Sequence, residues 1–363
     1  MLFVPISEAC LGLSNAKCIE KGLVMESVQS ISSDERQNLL ETWLVSYCGF
    51  ERGLLEPLVK EASFRRYFRF ITAETSYIVM DAPPDIEKNT FAFVSIAKTL
   101  HKLGLQVPEI FFADITQGFL VLTDFGDASY LRMLTPINAD KLYKNALDNL
   151  IKLQQISAIP DYHLARFDRA FMQSEWALCK EWFIKKYLNI STIPNEVALD
   201  NCFEMLITSA EEQPQKFMHR DFISTNLMLL KQDAVGILDF QDAFIGPVTY
   251  DVVSLLRDCY INWPEDKVIQ WVLYYKNLLE KNNLLHNIKE QEFVRWVDLM
   301  GIERHLKVLV TFSRKHFRDA DSRYLKYIPR TFNYLINVSK KYQELSALRE
   351  FLLLHTSKIN KEG

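Results

Sequence analysis

The stretch FMHRDFISTNLMLLKQDAVGILDFQDA, residues 217–243, sets Asp221, Asn226, Asp239 and Asp242 on either side of a short apolar run, Val235-Gly236-Ile237-Leu238. Taken singly, each carboxylate reads as a solvated loop residue. Taken together, three acids and an amide flanking a buried strand suggest a place for a divalent ion and phosphate.

The segments around this stretch suggest its setting. Residues 64–122 carry short runs rich in β-branched and aromatic side chains: YFRFIT, SYIVMDA, EIFFADI and GFLVLTD. One helix interrupts them, NTFAFVSIAKTLHKLG, with Asn89 as its cap and Gly104 as its stop. This pattern predicts a small, mostly antiparallel sheet carrying one helix. From about Leu131 helical periods dominate, as in NADKLYKNALDNLIKLQQI, where Leu142, Ala146, Leu150 and Leu153 share a face. DRAFMQSEWALCKEWFIKKYL follows, and helical patterns run through residues 265–352, so VGILDF stands out as a short strand. The expected fold is α+β, with a β-rich N-lobe (25–122), a larger helical C-lobe (123–363) and a site in the cleft. A first helix is expected from Ser32, which has capping-box spacing to Glu35, with Leu39, Leu40, Trp43, Leu44 and Tyr47 on one face. Residues 1–24 have no period and read as a poorly ordered extension, with Met25 as an alternative start.

Composition narrows the class. The chain has 363 residues, 48% apolar and 24% charged, with a net charge of −4. That is the balance of a soluble globular protein and gives no reason to expect nucleic acid as a partner. No apolar run approaches the roughly 18 residues needed to span a bilayer. The six cysteines form no C-x-x-C pair, and they read as core thiols of a cytoplasmic protein. A monomer acting on a small molecule is expected.

The chemistry of the opening stretch can then be assigned. HRDFISTN fits H-R-D-x-x-x-x-N, the catalytic-loop spacing of kinases. A phosphoryl acceptor needs a carboxylate to orient its hydroxyl and take the proton late, a role for Asp221. Asn226 can offer its amide oxygen to a divalent ion, and Asp239 can bridge that metal and the phosphates. Mg²⁺ and ATP are therefore the expected cofactors. His219 reads as structural, and Asp242 stays open between a metal-shell carboxylate and a turn residue.

HRDFISTNLM and VGILDFQDAFIGPVTYDVVSLLRD resemble the aminoglycoside phosphotransferase and choline kinase-like superfamily. Within it, EASFRRYFRF, IVMDAPPD, LDFQDAFIGPVTYDVVSLLRDCYINWP and RHLKVLVTFSRKHFRDADSRYL resemble the anomeric amino-sugar kinases of bacterial cell-wall recycling. These stretches span residues 62–334. The resemblance implies ATP-dependent phosphorylation of the anomeric hydroxyl of N-acetylmuramate or N-acetylglucosamine. It implies Asp221 as the catalytic carboxylate, Asn226 and Asp239 as metal ligands, and Asp251 as a structural brace for the loop. It also places Ser63 in a phosphate-covering hairpin, and Leu122 to Phe125, with Asp124, at an interlobe hinge that meets adenine.

Two departures matter. The hairpin lacks the glycines of G-x-G-x-x-G, and Met80 and Asp81 stand where a strand lysine is expected. No glutamate partner is evident in FAFVSIAKTLHKL. Arg65, Arg66 or Arg69 can supply the missing charge, with at most two facing the cleft by strand alternation. In the C-terminal region Arg304, Lys307 and Arg314 fall near one another at helical spacing. A solvated basic face is the plain reading. The functional reading makes Arg304 and Lys307 a wall of the sugar site, with a cation for an acidic substituent. A kinase for choline, homoserine or an aminoglycoside, and a catalytically silent module of the same shape, are the rivals.

Overall fold

The computed structural model describes residues 33–51, 53–58, 65–87 and 89–359. The expectations for residues 1–24, for Ser32 and for Ser63 lie outside the described residues. Helix α1 (Ser33–Ser46) belongs to a unit that ends at Gly49. Its buried stripe is narrower than its periodicity predicts: Leu40, Trp43 and Leu44 are buried, while Leu39 and Tyr47 are exposed.

The main body begins at Phe50. Its first part is a five-stranded sheet, β1 (Leu54–Pro57), β2 (Arg66–Ile71), β3 (Ser76–Asp81), β4 (Ile110–Asp114) and β5 (Phe119–Thr123). The order is β1-β2-β3-β5-β4 and every pairing is antiparallel. Helix α2 (Thr90–Lys102) connects β3 to β4. β1 was not expected, because LLEP has no strand-forming composition; it is a strand because it pairs with Phe68–Ile71. Met80 is fully buried and packs into the core with Phe93, Ile96 and Leu100 of α2. The position expected to carry a lysine is thus a core position. Asp81 lies opposite Arg66 in the ladder, and the two are ion-paired at 2.5 Å.

Helices form the rest: α3 (Tyr130–Met133), α4 (Ala139–Gln154), α5 (Arg169–Leu178), α6 (Glu196–Glu211), α7 (Tyr250–Leu256), α8 (Glu265–Lys281), α9 (Glu290–Asp319), α10 (Ile328–Ser339) and α11 (Ser346–Ile359). The helix α5 runs on into a π-helical segment, Cys179–Tyr187. Helix α4 buries Leu142, Ala146, Leu150 and Leu153, the face its periodicity predicts. Short strands lie among the helices: β6 (Ala165–Arg166), β7 (Gln215–Met218), β8 (Leu227–Leu229), β9 (Val235–Ile237) and β10 (Phe244–Pro247). β8 and β9 pair antiparallel, while β10 lies between β6 and β7. Cys179, Cys202 and Cys259 are buried free thiols. Among the described residues, no helix is long and apolar enough to cross a membrane.

The sheet and the helices meet at β9. Ile237 N–H donates to the Gln106 carbonyl at 2.8 Å. Gly236 lies so close to Phe125 that a Cβ there would fall 2.8 Å from the ring. Only a hydrogen lets the connecting segment pack onto this strand. Gly236→Ala should therefore cost about 1–3 kcal/mol by overpacking, or several degrees in Tm. A melting curve that matches the parent would show that Phe125 moves aside freely.

Candidate active site

β7 delivers the loop that begins at His219, and β9 delivers Leu238 and Asp239. The two are stitched together. His219 Nε2 bonds the Leu238 carbonyl at 3.0 Å, and Leu238 N–H donates to the Asn226 carbonyl at 2.9 Å. Burial pulls His219 down to about 4, so the ring is neutral at pH 7 and acts as a fixed strut. The buried carboxylate of Asp251, in the first turn of α7, accepts from His219 N–H at 2.7 Å and Arg220 N–H at 3.0 Å. Arg220 sits at φ +74° and Asp239 at φ +62°, a conformation that non-glycine residues adopt only when held.

Asp221 is the half-exposed carboxylate at the centre. Arg304 Nη2 lies 3.3 Å and Lys307 Nζ 3.8 Å from its Oδ1. Burial alone would raise its pKa, but Lys307 and then Arg304 hold it well below the ordinary carboxylate range. The solvated-face reading does not hold for these two residues: both side chains are largely buried and face the Asp221 carboxylate. Arg304 is buried on α9 against α7, with Nε bonded to Ser254 Oγ at 3.0 Å. Arg314 lies elsewhere, over the ring of Trp182.

Asn226 donates Nδ2 to the Asp221 carbonyl at 3.0 Å, and its amide oxygen accepts from Thr225 Oγ1 at 3.4 Å with a second lone pair to offer. Burial, and then the charge of Asp221, pushes Asp239 up to about 6. A site with surplus negative potential of this kind favours a cation. Among the described residues no three His, Cys, Asp or Glu cluster as a ready metal cage. Two protein oxygens supplemented by phosphate and water suit Mg²⁺. Asp242 is less ambiguous than its sequence: its Oδ1 accepts from Asn89 Nδ2 at 2.7 Å. Asn89 stands at the N-cap position of α2 without making the side-chain cap bond, and its Nδ2 donates to Asp242 instead.

The three arginines of the sheet have different surroundings. Arg66 pairs with Asp81, and Arg69 pairs with both Asp124 (2.7 Å) and Asp127 (3.1 Å). Arg65 is buried and pairs with Glu87 at 3.0 Å. Of the three, Arg65 is the one whose charge lowers Asp239. Glu87 precedes α2 rather than lying within it, which is why the helix sequence did not reveal it. The Asp124 carboxylate is also occupied, accepting from Arg69, Ser76 Oγ and Gly126 N–H. Leu122 lies inside the sheet, opposite Ile78 and Ile110, so the chain leaves the ladder only at Asp124.

Sequence reasoning also missed Asp258. Its Oδ2 accepts from Ser224 N–H at 3.0 Å and from Ser224 Oγ at 2.5 Å. No local signal marks it: Asp258 lies just past α7, and its partner is 34 residues earlier in the chain.

Residues 55–287 match the phosphotransferase enzyme family. The chain belongs to that family. A relative from Pseudomonas aeruginosa, an N-acetylmuramate/N-acetylglucosamine kinase, is 38% identical, covering 89% of this chain and 97% of its own. A choline kinase of Streptococcus pneumoniae has the same fold, with a TM-score of 0.60 at 14% identity, covering 84% of this chain and 100% of that one. An ADP-bound aminoglycoside phosphotransferase gives 0.57 at 13%, covering 85% and 99%. The chain is thus a kinase of α+β type, as the sequence led us to expect.

Asp221→Asn keeps the loop's shape while removing the charge that Arg304 and Lys307 face. A fall in kcat of about 10²-fold or more is expected, the range of positioned acid–base groups. Turnover within a few-fold of the parent would displace Asp221 from the reaction.

Proposed function

We propose that this kinase transfers the γ-phosphoryl group of ATP to the anomeric hydroxyl of an N-acetylated amino sugar, N-acetylmuramate or N-acetylglucosamine, in cytoplasmic peptidoglycan recycling. The observation that carries the reading is the Asp221 carboxylate, held ionised by Lys307 and Arg304 beside Asn226 and Asp239. The name of the Pseudomonas aeruginosa relative, over nearly the full length of both chains, supports the choice of sugar.

The geometry favours a particular kind of acceptor. A carboxylate held below its usual pKa is a weak base, so it orients a hydroxyl better than it deprotonates one. In a loose phosphoryl-transfer transition state the proton leaves late, and a more acidic hydroxyl is the easier partner. An anomeric hydroxyl is more acidic than an ordinary sugar alcohol. Asn226 and Asp239 would hold Mg²⁺, which when bound neutralises charge on the phosphates. Arg65 supplies the small-lobe cation toward the same phosphates, with Glu87 fixing it in place of a strand lysine and its helix partner. Arg66 and Arg69 brace the sheet against Asp81, Asp124 and Asp127 instead. The silent-module alternative rested on the missing lysine, and the buried Arg65 beside Asp239 supports a substitute for it.

Two measurements test this. Phosphorus NMR with ATP, Mg²⁺ and a panel of amino sugars, choline, homoserine and aminoglycosides should show a new anomeric phosphate only with the amino sugars; a product from another acceptor overturns the substrate assignment. Arg65→Met should raise KM for ATP by about 10-fold or more, the scale of a charge-assisted contact, and by more than Arg66→Met or Arg69→Met. Equal effects across the three would remove Arg65 from the nucleotide site.

A further inference from the structure

Arg304 and Lys307 face the Asp221 carboxylate, and helix α9 carries a further cation beyond them. Arg314 follows Lys307 by seven residues, so it lies on the same face and roughly 10 Å further along the axis. That offset matches the length of a pyranose bearing a substituent on the side away from its anomeric carbon.

The surroundings of Arg314 leave it open. Its guanidinium lies 5.8 Å from the centre of the Trp182 ring, and its Nε is buried without a hydrogen-bond partner. Among the described residues no carboxylate lies within ion-pair distance of it. Its neighbours are already matched: Arg318 pairs with Asp319, and Lys315 sits 3.7 Å over Tyr324. Four residues after Trp182 on the same segment, Lys186 Nζ lies 3.6 Å from the centre of the Trp182 ring and 3.5 Å from Glu181. Two cations thus share one indole, an arrangement that an anion would stabilise. Burial, and then Arg318, pulls Arg314 below the usual guanidinium range, which an anion would reverse.

The two helices also lead there from the reacting end. Glu175 on α5 interacts with Glu303 and Lys307 on α9, beside Asp221. The continuation of α5, the π-helical segment, then carries Trp182 to Arg314. π-helical insertions of this kind re-aim side chains and are frequent at functional sites.

We infer that Arg314, held at the Trp182 ring that Lys186 also contacts, forms a subsite for the carboxylate of an acidic sugar whose anomeric hydroxyl lies at Asp221. The inference rests on the amino-sugar reading above and adds the basis of its selectivity. The subsite discriminates N-acetylmuramate, which carries a lactyl carboxylate, from N-acetylglucosamine, which does not.

The test compares both sugars in the full-length parent, Arg314→Met and Arg314→Lys, by turnover and by calorimetric binding. In Arg314→Met the ratio of kcat/KM for N-acetylmuramate over N-acetylglucosamine should fall about 10-fold or more, and calorimetry should show the loss in N-acetylmuramate affinity. Arg314→Lys, which keeps the charge, should recover most of the ratio. A purely structural role would lower both sugars together and leave the ratio unchanged. That result, or equal N-acetylmuramate binding by parent and Arg314→Met, overturns the subsite. A parent that phosphorylates neither sugar overturns the amino-sugar reading, while its binding comparison still decides whether Arg314 receives the acid.

Discussion

The carboxylate of Asp251 is the contact on which the rest of the site depends. It takes the backbone N–H groups of His219 and Arg220, so the chain can turn through a left-handed residue just before Asp221. Such a conformation costs about 1–3 kcal/mol for a non-glycine residue. Hydrogen bonds to a charged acceptor contribute roughly 1.5–3 kcal/mol each, so two of them offset it. Burial pushes Asp251 up to about 7 even with these donors present, so its charged form relies on them. Without the brace, two buried N–H groups would lose their partner at the point where Asp221 must be aimed.

Helix α7 extends this control from one contact to three. Asp251 holds the start of the loop, Ser254 orients Arg304 toward Asp221, and Asp258, just past the helix, holds Ser224. The helix fixes Asp251 relative to Ser254, and Asp258 holds the middle of the loop at Ser224. Neighbouring contacts anchor the end of that helix: Arg257 pairs with Glu265 and Asp298, and its carbonyl bonds His305. The cations that accompany Asp221 come from α9, which packs against α7, so loop geometry and loop charge share one helix pair.

On the small-lobe side the charges are similarly arranged by pairing. Three arginines occur within five residues of the sheet, and each meets a different acid from a different segment. The ladder register puts Arg66 opposite Asp81, and the fold brings Asp124 and Asp127 to Arg69. Arg65 alone is left to act on Asp239. Asn89 and Asp242 add a direct tie between the sheet's helix and the segment after Asp239. Adjacent arginines in a sequence thus serve unrelated purposes once strand alternation and register separate them.

The elements with strong local signals were legible without coordinates. Periodicity located α2 and α4, β-branched runs located four strands of the sheet, and HRDFISTN with VGILDF announced a kinase loop and its partner strand. These signals sit within a few residues of the chemistry they describe. The strand β1, the Arg65–Glu87 pair, the hold of Arg304 and Lys307 on Asp221, and the Asn89–Asp242 tie were not legible. Each joins residues far apart in the chain, and a basic helical face reads the same whether water or a carboxylate from another segment covers it. The sequence by itself determined the class of fold and the candidate residues of the loop and its partner strand, because helix period, strand composition and loop spacing are local properties. Which cation meets which acid was decided only by the tertiary structure, because burial and register set those pairings, and neither is a property of one segment.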